Sequence, residues 1–396
     1  MHEKDGCMKK IKKVLKVIFL ILFFVFFFVG FYFFLKEFIQ FEEKKEVTTK
    51  EEENKKEEIE RKEYHLSLGM VGDALYHTGC FTDGRQSDGS YNFDSQLEDI
   101  APIISEYDLA YYNQESILGG TSLGLSSYPT FNSPQEVGDA YVKAGFDLVS
   151  LANNHTLDKG EKGVLKSAEY WKTQNVMTAG SYDSQEDRNR SHIGEKNGIT
   201  YAFFAYTDTT NGIAVPTGKE YLVNVFDEDT AKADIESVKD QVDIVIVSMH
   251  WGVEYTHTPT ETQRQEAEFL ASLGVDIIIG SHPHVVQPIE HIGDTVVIYS
   301  LGNLISGQNG IEKKVGLLAS LEVHKVVENN QTTITIDNVK GDLLYTYHNG
   351  SYSDFKIIPL YKLTNSILYN YETIKEKYEA IINQNDDSII VGTLGT

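Results

Sequence analysis

The chain has 396 residues, 41% hydrophobic and 24% charged, which suits a globular protein of one large domain or two ordinary ones. Its formal net charge is −24; six lysines against Glu3 and Asp5 leave residues 1–16 at +4, so the rest carries −28. So acidic a body excludes nucleic acid and anionic lipid as partners drawn in by the overall field.

The first element is the apolar run Val17–Leu35, VIFLILFFVFFFVGFYFFL, close to the roughly 20 residues a helix needs to cross a bilayer. No polar face exists at a helical period, which argues against a buried core helix. Its length, bulky Phe content and lack of a small-residue cleavage step argue against a removed signal peptide. It reads as an uncleaved anchor. Lys4, Lys9, Lys10, Lys12, Lys13 and Lys16 precede it. Residues 1–16 are therefore expected to be a cytoplasmic tail, with everything after Leu35 outside the cell, in a single-pass cell-membrane protein. Cys7 and Cys80 then fall on opposite sides and form no intrachain disulfide. Residues 36–63 are charge-dense and nearly free of large apolar side chains beyond Glu42, so they read as a stalk, disordered or helical.

From Tyr64 the texture is that of a folded domain, expected over 64–364. The stretches HLSLGMVGD, YDLAYYNQE, GFDLVSLANNH, GITYAFFAYT, VDIVIVSMHWG, GVDIIIGSHPH and TVVIYSLGN each read as a strand. Helical segments lie between several of them, including Gly160–Thr173 and Thr260–Leu273. Near-continuous apolar strands alternating with helices predict an α/β domain with sheets covered on both faces. Farther on, LLASLEVHK, QTTITIDNVKGDLLYTYH and YSDFKIIPLYKL alternate apolar and polar residues, as antiparallel strands do. Residues 365–396 read as an amphipathic helix, YETIKEKYEAIINQ, and a frayed end.

Polar residues recur at the ends of these strands: Asp73, Asn113 with Glu115, Asn154 with His155, His250, His282 with His284, and Asn303. Ligands in α/β folds bind beyond the carboxyl ends of strands. Taken singly, each has a plain structural explanation, such as a turn at Gly72-Asp73 or a helix cap at Asn153-Asn154-His155 with Asp158 in the next turn. Their concurrence is different, because burying several such groups together costs heavily unless they are paired or bind a metal. Imidazole and carboxylate without thiolate suit zinc, manganese or iron. Two such ions could share one carboxylate, leaving His155 to donate a proton or stabilise a leaving oxygen. Tyr111 and Tyr112 read as sheet residues, Lys159, Arg188 and Arg190 as solvated charges, and His77, His257 and His291 as non-ligands.

The segments GMVGD, YYNQES, SLANNHTLDKG, MHWGVEY, GSHPHVVQPIE and YSLGNLIS, from about Leu66 to Ser306, resemble in order and spacing the CapA-type poly-γ-glutamate capsule-synthesis proteins. Their domain belongs to the calcineurin-like metallophosphoesterase superfamily. The resemblance implies a sandwich of two mixed β-sheets flanked by helices, preceded by one transmembrane helix. It implies Asp73, Glu115, Asn154, His250, His282 and His284 as metal-site residues, for one or two divalent transition-metal ions (Mn, Zn or Fe). His155 matches a catalytic histidine, and Asn113, Asn153, Asp158, Trp251 and Asn303 match shaping positions. The implied role is in capsule synthesis and export, with a polyanionic surface polymer or its precursor and other membrane subunits as partners. An accessory protein without catalysis and a general cell-surface phosphoesterase are the other readings. The sequence departs from the superfamily where Asp-x-His is usual. It has Asp73-Ala74-Leu75, with His77 two places late, and Glu115 follows Asn113 rather than a Gly-Asp pair. That leaves open one metal or two, and a hydrolase or a binding fold.

Overall fold

A computed structural model describes residues 3–56, 61–190 and 192–395. The chain divides into two units, residues 1–61 with 328–331, and residues 62–327 with 332–396.

In the first unit, Glu3–Lys56 is one continuous α-helix. At 1.5 Å per residue it is about 80 Å long. Its segment Gly6–Thr48 is long and apolar enough to cross a membrane, and none of its most apolar stretch is buried. Expected anchor and stalk are thus one helix as far as Lys56, and residues 57–60 of the stalk lie outside the described residues.

The second unit carries fifteen strands among the described residues: β1 (Arg61–Leu75), β2 (Leu109–Asn113), β3 (Leu148–Ser150), β4 (Met177–Ala179), β5 (Ile193–Lys196), β6 (Ile199–Thr207), β7 (Ile244–His250), β8 (Ile277–Ser281), β9 (Ile289–Ile292), β10 (Thr295–Ile298), β11 (Asn303–Ser306), β12 (Val315–Glu328), β13 (Gln331–Tyr347), β14 (Lys356–Pro359) and β15 (Ile390–Val391). They form two mixed sheets. One has the order β14-β13-β12-β1-β2-β3-β4, with β11 added beside β1 and β15 beside β13; the other has the order β5-β6-β7-β8-β10-β9. The two mixed sheets and flanking helices are the architecture expected from the sequence.

Alternation along the strands builds the layers, because successive side chains leave a strand on opposite faces. Met70, Tyr111, Ile246 and Ile279 enter the core between the sheets. Their neighbours Val71, Tyr112 and Val149 turn outward under the helices Glu136–Ala144 and Gly160–Trp171. On the other side, Val245, Val247 and Ile278 pack beneath Glu228–Val238 and Glu261–Ser272.

One expected strand is in fact two. TVVIYSLGN supplies β10, parallel to β8 in the second sheet, and then β11, parallel to β1 in the first. The chain crosses between sheets at Tyr299–Gly302, where Gly302 adopts φ +65°. β1 approaches this crossing so closely that a Cβ on Gly72 would lie 1.8 Å from the Gly302 carbonyl oxygen. β4, β5 and β9 are short strands that no sequence pattern marked.

Candidate metal centre

Strand register brings the polar ends together. Across the first sheet Asp73 is level with Asn113 on β2 and with Asn303 on β11, with register shifts on either side of Asp73. Across the second, His250 is level with Ser281. Just past Ser281 the backbone turns sharply: His282 has φ +94° and His284 φ +57°, with Pro283 between them. Non-glycine residues in this region cost about 1–3 kcal/mol each and persist where the surroundings over-determine them. The Tyr255 N–H holds the turn by donating to the Pro283 carbonyl at 2.8 Å. The His282 ring thereby reaches His250 at the end of β7, and the His284 ring reaches Asp73 on β1.

Two groups of donors result: Glu115 with His250 and His282, and Asp73 with Glu115 and His284. In each, the donor atoms lie within 4.8 Å of one another. Glu115 belongs to both. His250 Nε2 lies 3.1 Å from Asn154 Oδ1, 3.1 Å from His282 Nδ1 and 3.6 Å from Glu115 Oε1. His284 Nδ1 lies 3.3 Å from Asp73 Oδ2, and its Nε2 3.7 Å from Glu115 Oε1. All six of these side chains are buried.

A surrounding set of groups holds the donors in place. Asn113 Nδ2 donates to Asp73 Oδ1 at 2.8 Å and stands 3.3 Å from His250 Nδ1. Ser281 Oγ is 2.9 Å from the same His250 nitrogen, and Asn303 Oδ1 is 3.0 Å from His284 Nδ1. The His282 N–H donates to Asp73 Oδ2 at 3.3 Å. His155, in neither group, sets its Nδ1 2.7 Å from Asp158 Oδ2 and its ring edge-on to Phe131. Asn153 accepts the His155 N–H and donates to the Gln114 carbonyl, which fixes the loop.

The electrostatics of these groups are unbalanced. Burial drives the Glu115 carboxyl well above its ordinary range; His284 opposes the rise, and Asp73 and Glu254 add to it. Burial works against a charged His284, yet Glu115, Asp73 and Glu254 outweigh it and raise the ring to about 9. Burial holds His250 well below its ordinary value and brings His282 down to about 4, with neighbouring imidazoles adding in both cases. Three carboxylates thus face one imidazole able to carry positive charge. Both Glu115 oxygens and Asn113 Oδ1 are buried without a hydrogen-bond partner. Buried polar groups are nearly always satisfied, and an unpaired buried carboxylate is the costliest exception. Carboxylate, imidazole and amide oxygen lining a space with a charge deficit fit a divalent transition metal.

Some residues stand apart from this centre. Trp251 turns away into the helix-covered core, stacking on Tyr299 and donating Nε1–H to its carbonyl at 2.9 Å. His77 Nδ1 accepts the Gly307 N–H at 3.2 Å, and His77 belongs to neither donor group. Burial lowers its ring to about 4. Ser281 and Glu254 were not singled out from sequence, although both sit inside the segments GSHPH and MHWGVEY. Glu254 Oε1 reaches to 4.0 Å from His284 Nε2. No periodicity could have distinguished them from ordinary loop polar residues.

Among solved structures, this chain is similar to a calcineurin-like phosphoesterase of Bacillus subtilis. The identity is 14%, the coverage 81% of this chain and 99% of that one, and the TM-score 0.46. It is similar also to a putative 5'-nucleotidase of Staphylococcus aureus at 18% identity, covering 79% and 58%, with TM-score 0.45. At those scores the likeness adds nothing to the layers and donors described above. Sequence relatives are nearer. The PGA biosynthesis protein CapA of Bacillus subtilis is 34% identical over 182 residues, 46% of this chain and 48% of the relative. The capsule biosynthesis protein CapA of Bacillus anthracis is 30% identical over 262 residues, 64% and 63%. The match thus spans about half of the first relative and under two thirds of the second. The bacterial capsule synthesis protein family PGA_cap matches residues 67–308, more than half of the chain and every donor in the buried centre, and it is to this family that the chain belongs.

Proposed function

We propose that this protein is a membrane-anchored member of the capsule machinery whose outer domain binds divalent metal and hydrolyses a phosphoester or amide-like bond in a surface polymer or its carrier. The observation that carries the reading is Glu115, a buried carboxylate shared by two donor groups, with neither oxygen hydrogen-bonded. Asp73, Glu115 and His284 would hold one ion; Glu115, His250 and His282, with the Asn154 amide oxygen, would hold a second, of Mn, Zn or Fe type. Such an ion supplies Lewis acidity toward an anionic oxygen at neutral pH.

The chain's own residues do the rest. Asn113, Ser281 and Asn303 orient the donors, as hydrogen bonds to ligands do elsewhere. Asp158 accepts at His155 Nδ1, so the proton handed to a leaving oxygen is handled at Nε2, with the ring held in one orientation. Glu3–Lys56 anchors the chain with its lysine-rich end inside, and the donor-bearing domain lies outside the cell. The partners are a polyanionic polymer of poly-γ-glutamate type or its precursor and other membrane subunits. With −28 outside the N-terminal tail, such a polymer meets repulsion over most of the surface and binds at the metal centre, with strong salt dependence.

A second reading has one observation in its favour. His77 stands outside both donor groups, so the centre has fewer imidazoles than Asp-x-His would give. An accessory protein with a metal-built binding cleft needs no more. The experiment is metal content, hydrolysis of polymer and of a phosphoester panel, and capsule export, for the native chain and a Glu115→Gln variant, which takes a ligand from both donor groups. Loss of metal, hydrolysis and export together supports the hydrolase. A metal-free variant that still exports polymer refutes it, and a folded native chain that takes up no supplied metal refutes both readings.

A further inference from the structure

Away from this centre, two adjacent strands, β12 and β13, present another set of donors on one outward face. Glu322 and His324 are two residues apart on β12, alternating with the buried Leu321 and Val323, so they share a side. Asp337 reaches the same point from β13. Its Oδ1 lies 3.3 Å, and Glu322 Oε2 3.4 Å, from His324 Nε2. The donor atoms of all three lie within 4.8 Å of one another. On the other side of β12, His65 of β1 sets its ring edge-on to His324, 4.4 Å between centroids.

Ordinary ion pairing accounts poorly for this geometry. His324 Nε2 is shut off from solvent and has no hydrogen-bond partner, although two carboxylate oxygens stand beside it. Neither contact closes as a hydrogen bond. Ligands held about 2.0–2.2 Å from one tetrahedral ion are themselves about 3.3–3.6 Å apart and lie off one another's donor axes. The two nitrogen–oxygen separations match that spacing. Asn338, at φ +50° within β13, follows Asp337 and donates Nδ2 to Glu322 Oε2 at 3.1 Å, fixing that carboxylate. Side-chain exposures of 25% for His324, 43% for Glu322 and 53% for Asp337 place the cluster at the surface of the domain.

We propose that Glu322, His324 and Asp337 form a separate surface site for a divalent transition metal of zinc type, which ties β12 to β13 beside the first strand of the domain. One imidazole and two carboxylates suit zinc, and solvent takes the remaining position. The site is independent of the buried centre and of any hydrolysis.

The test is equilibrium dialysis of the full chain in detergent against zinc, with Glu115→Gln present to remove the carboxylate common to both buried donor groups. One zinc per chain is expected, weakened at least about tenfold by His324→Gln. Zinc should raise Tm only where His324 is present. In the otherwise native chain, His324→Gln should lower total zinc by one per chain, which keeps the test valid if the Glu115→Gln chain misfolds. Zinc content unchanged by both His324→Gln and Asp337→Asn, or no zinc bound at micromolar concentrations by a folded chain, overturns the proposal.

Discussion

Glu115→Gln separates the two roles a buried carboxylate can play, because it keeps the side chain's size and removes its charge. Glu115 Oε1 lies 3.6 Å from His250 Nε2 and 3.7 Å from His284 Nε2, and neither carboxylate oxygen is hydrogen-bonded. In chelator-treated protein the substitution exchanges a buried carboxyl, whose charged form burial disfavours and whose oxygens are unpaired, for an amide whose N–H can donate to an adjacent imidazole. The relief is about 1–3 kcal/mol, equivalent to a rise in Tm of about 2–5 °C. Metal binding should move the opposite way. Glu115 is common to both donor groups, so Glu115→Gln removes a ligand from each, whereas Asp73→Asn or His282→Gln touches one. At the buried centre the expected contents are no metal for Glu115→Gln and half the native content for each of the others, the surface group Glu322, His324 and Asp337 being unaffected. Thermal melts with and without chelator, and metal analysis after gel filtration, read both quantities. A Glu115→Gln protein that melts lower without metal and still carries the native amount would refute the shared-ligand reasoning.

His155→Ala should lower any hydrolytic turnover by about 10²–10⁴-fold with metal content unchanged, and Asp158→Asn should lower it less; metal loss in either variant would move these residues into the ligand set. Gly72→Ala should force β1 away from the crossing at Gly302, cost about 1–3 kcal/mol or more, and loosen metal by displacing Asp73, all measurable by denaturant titration and dialysis. At the C-terminal end, burial works upward on Asp386, yet hydrogen bonds from Ser388 and His291 outweigh it and hold the carboxyl far below its ordinary value. A depressed carboxyl stabilises the fold above its unfolded-state value and loses that contribution as pH falls. Asp386→Asn should therefore destabilise by about 1–2 kcal/mol at neutral pH, with the difference from native protein shrinking below about pH 4; a pH-independent difference would count against it. Protease added to intact cells should digest the outer domain, and full protection would reverse the proposed topology.

The layered α/β character was legible because β7 and β8 are nearly continuous apolar runs ending in a polar residue, and β1 carries Leu66–Gly72 immediately before Asp73. The same signal pointed to Asp73, His250 and the His282–His284 pair. What the sequence could not show was register and direction. TVVIYSLGN reads as a single strand, and only tertiary pairing ends β10 at Ile298 and opens β11 at Asn303 in the other sheet. β4, β5 and β9 are three or four residues long, too short for any period to register. Trp251 follows His250 directly and therefore leaves the strand on the opposite face, so adjacency in a motif placed it at the centre while alternation put it in the core. The left-handed backbone at His282 and His284 is invisible in composition, since neither residue demands it.

The crossing from β10 to β11 has a consequence for when the metal centre comes into being. Asp73 and Glu115 belong to the first sheet, His250 to the second, and His282 and His284 to the connection out of the second. No stretch of chain shorter than 73–284 contains the whole set, and no single sheet can assemble it. On the proposed topology, a chain still emerging through a membrane would have ligands but no site. Metal uptake would then report completed docking of the two sheets, and the compartment in which folding ends would choose the ion, not the one in which synthesis began.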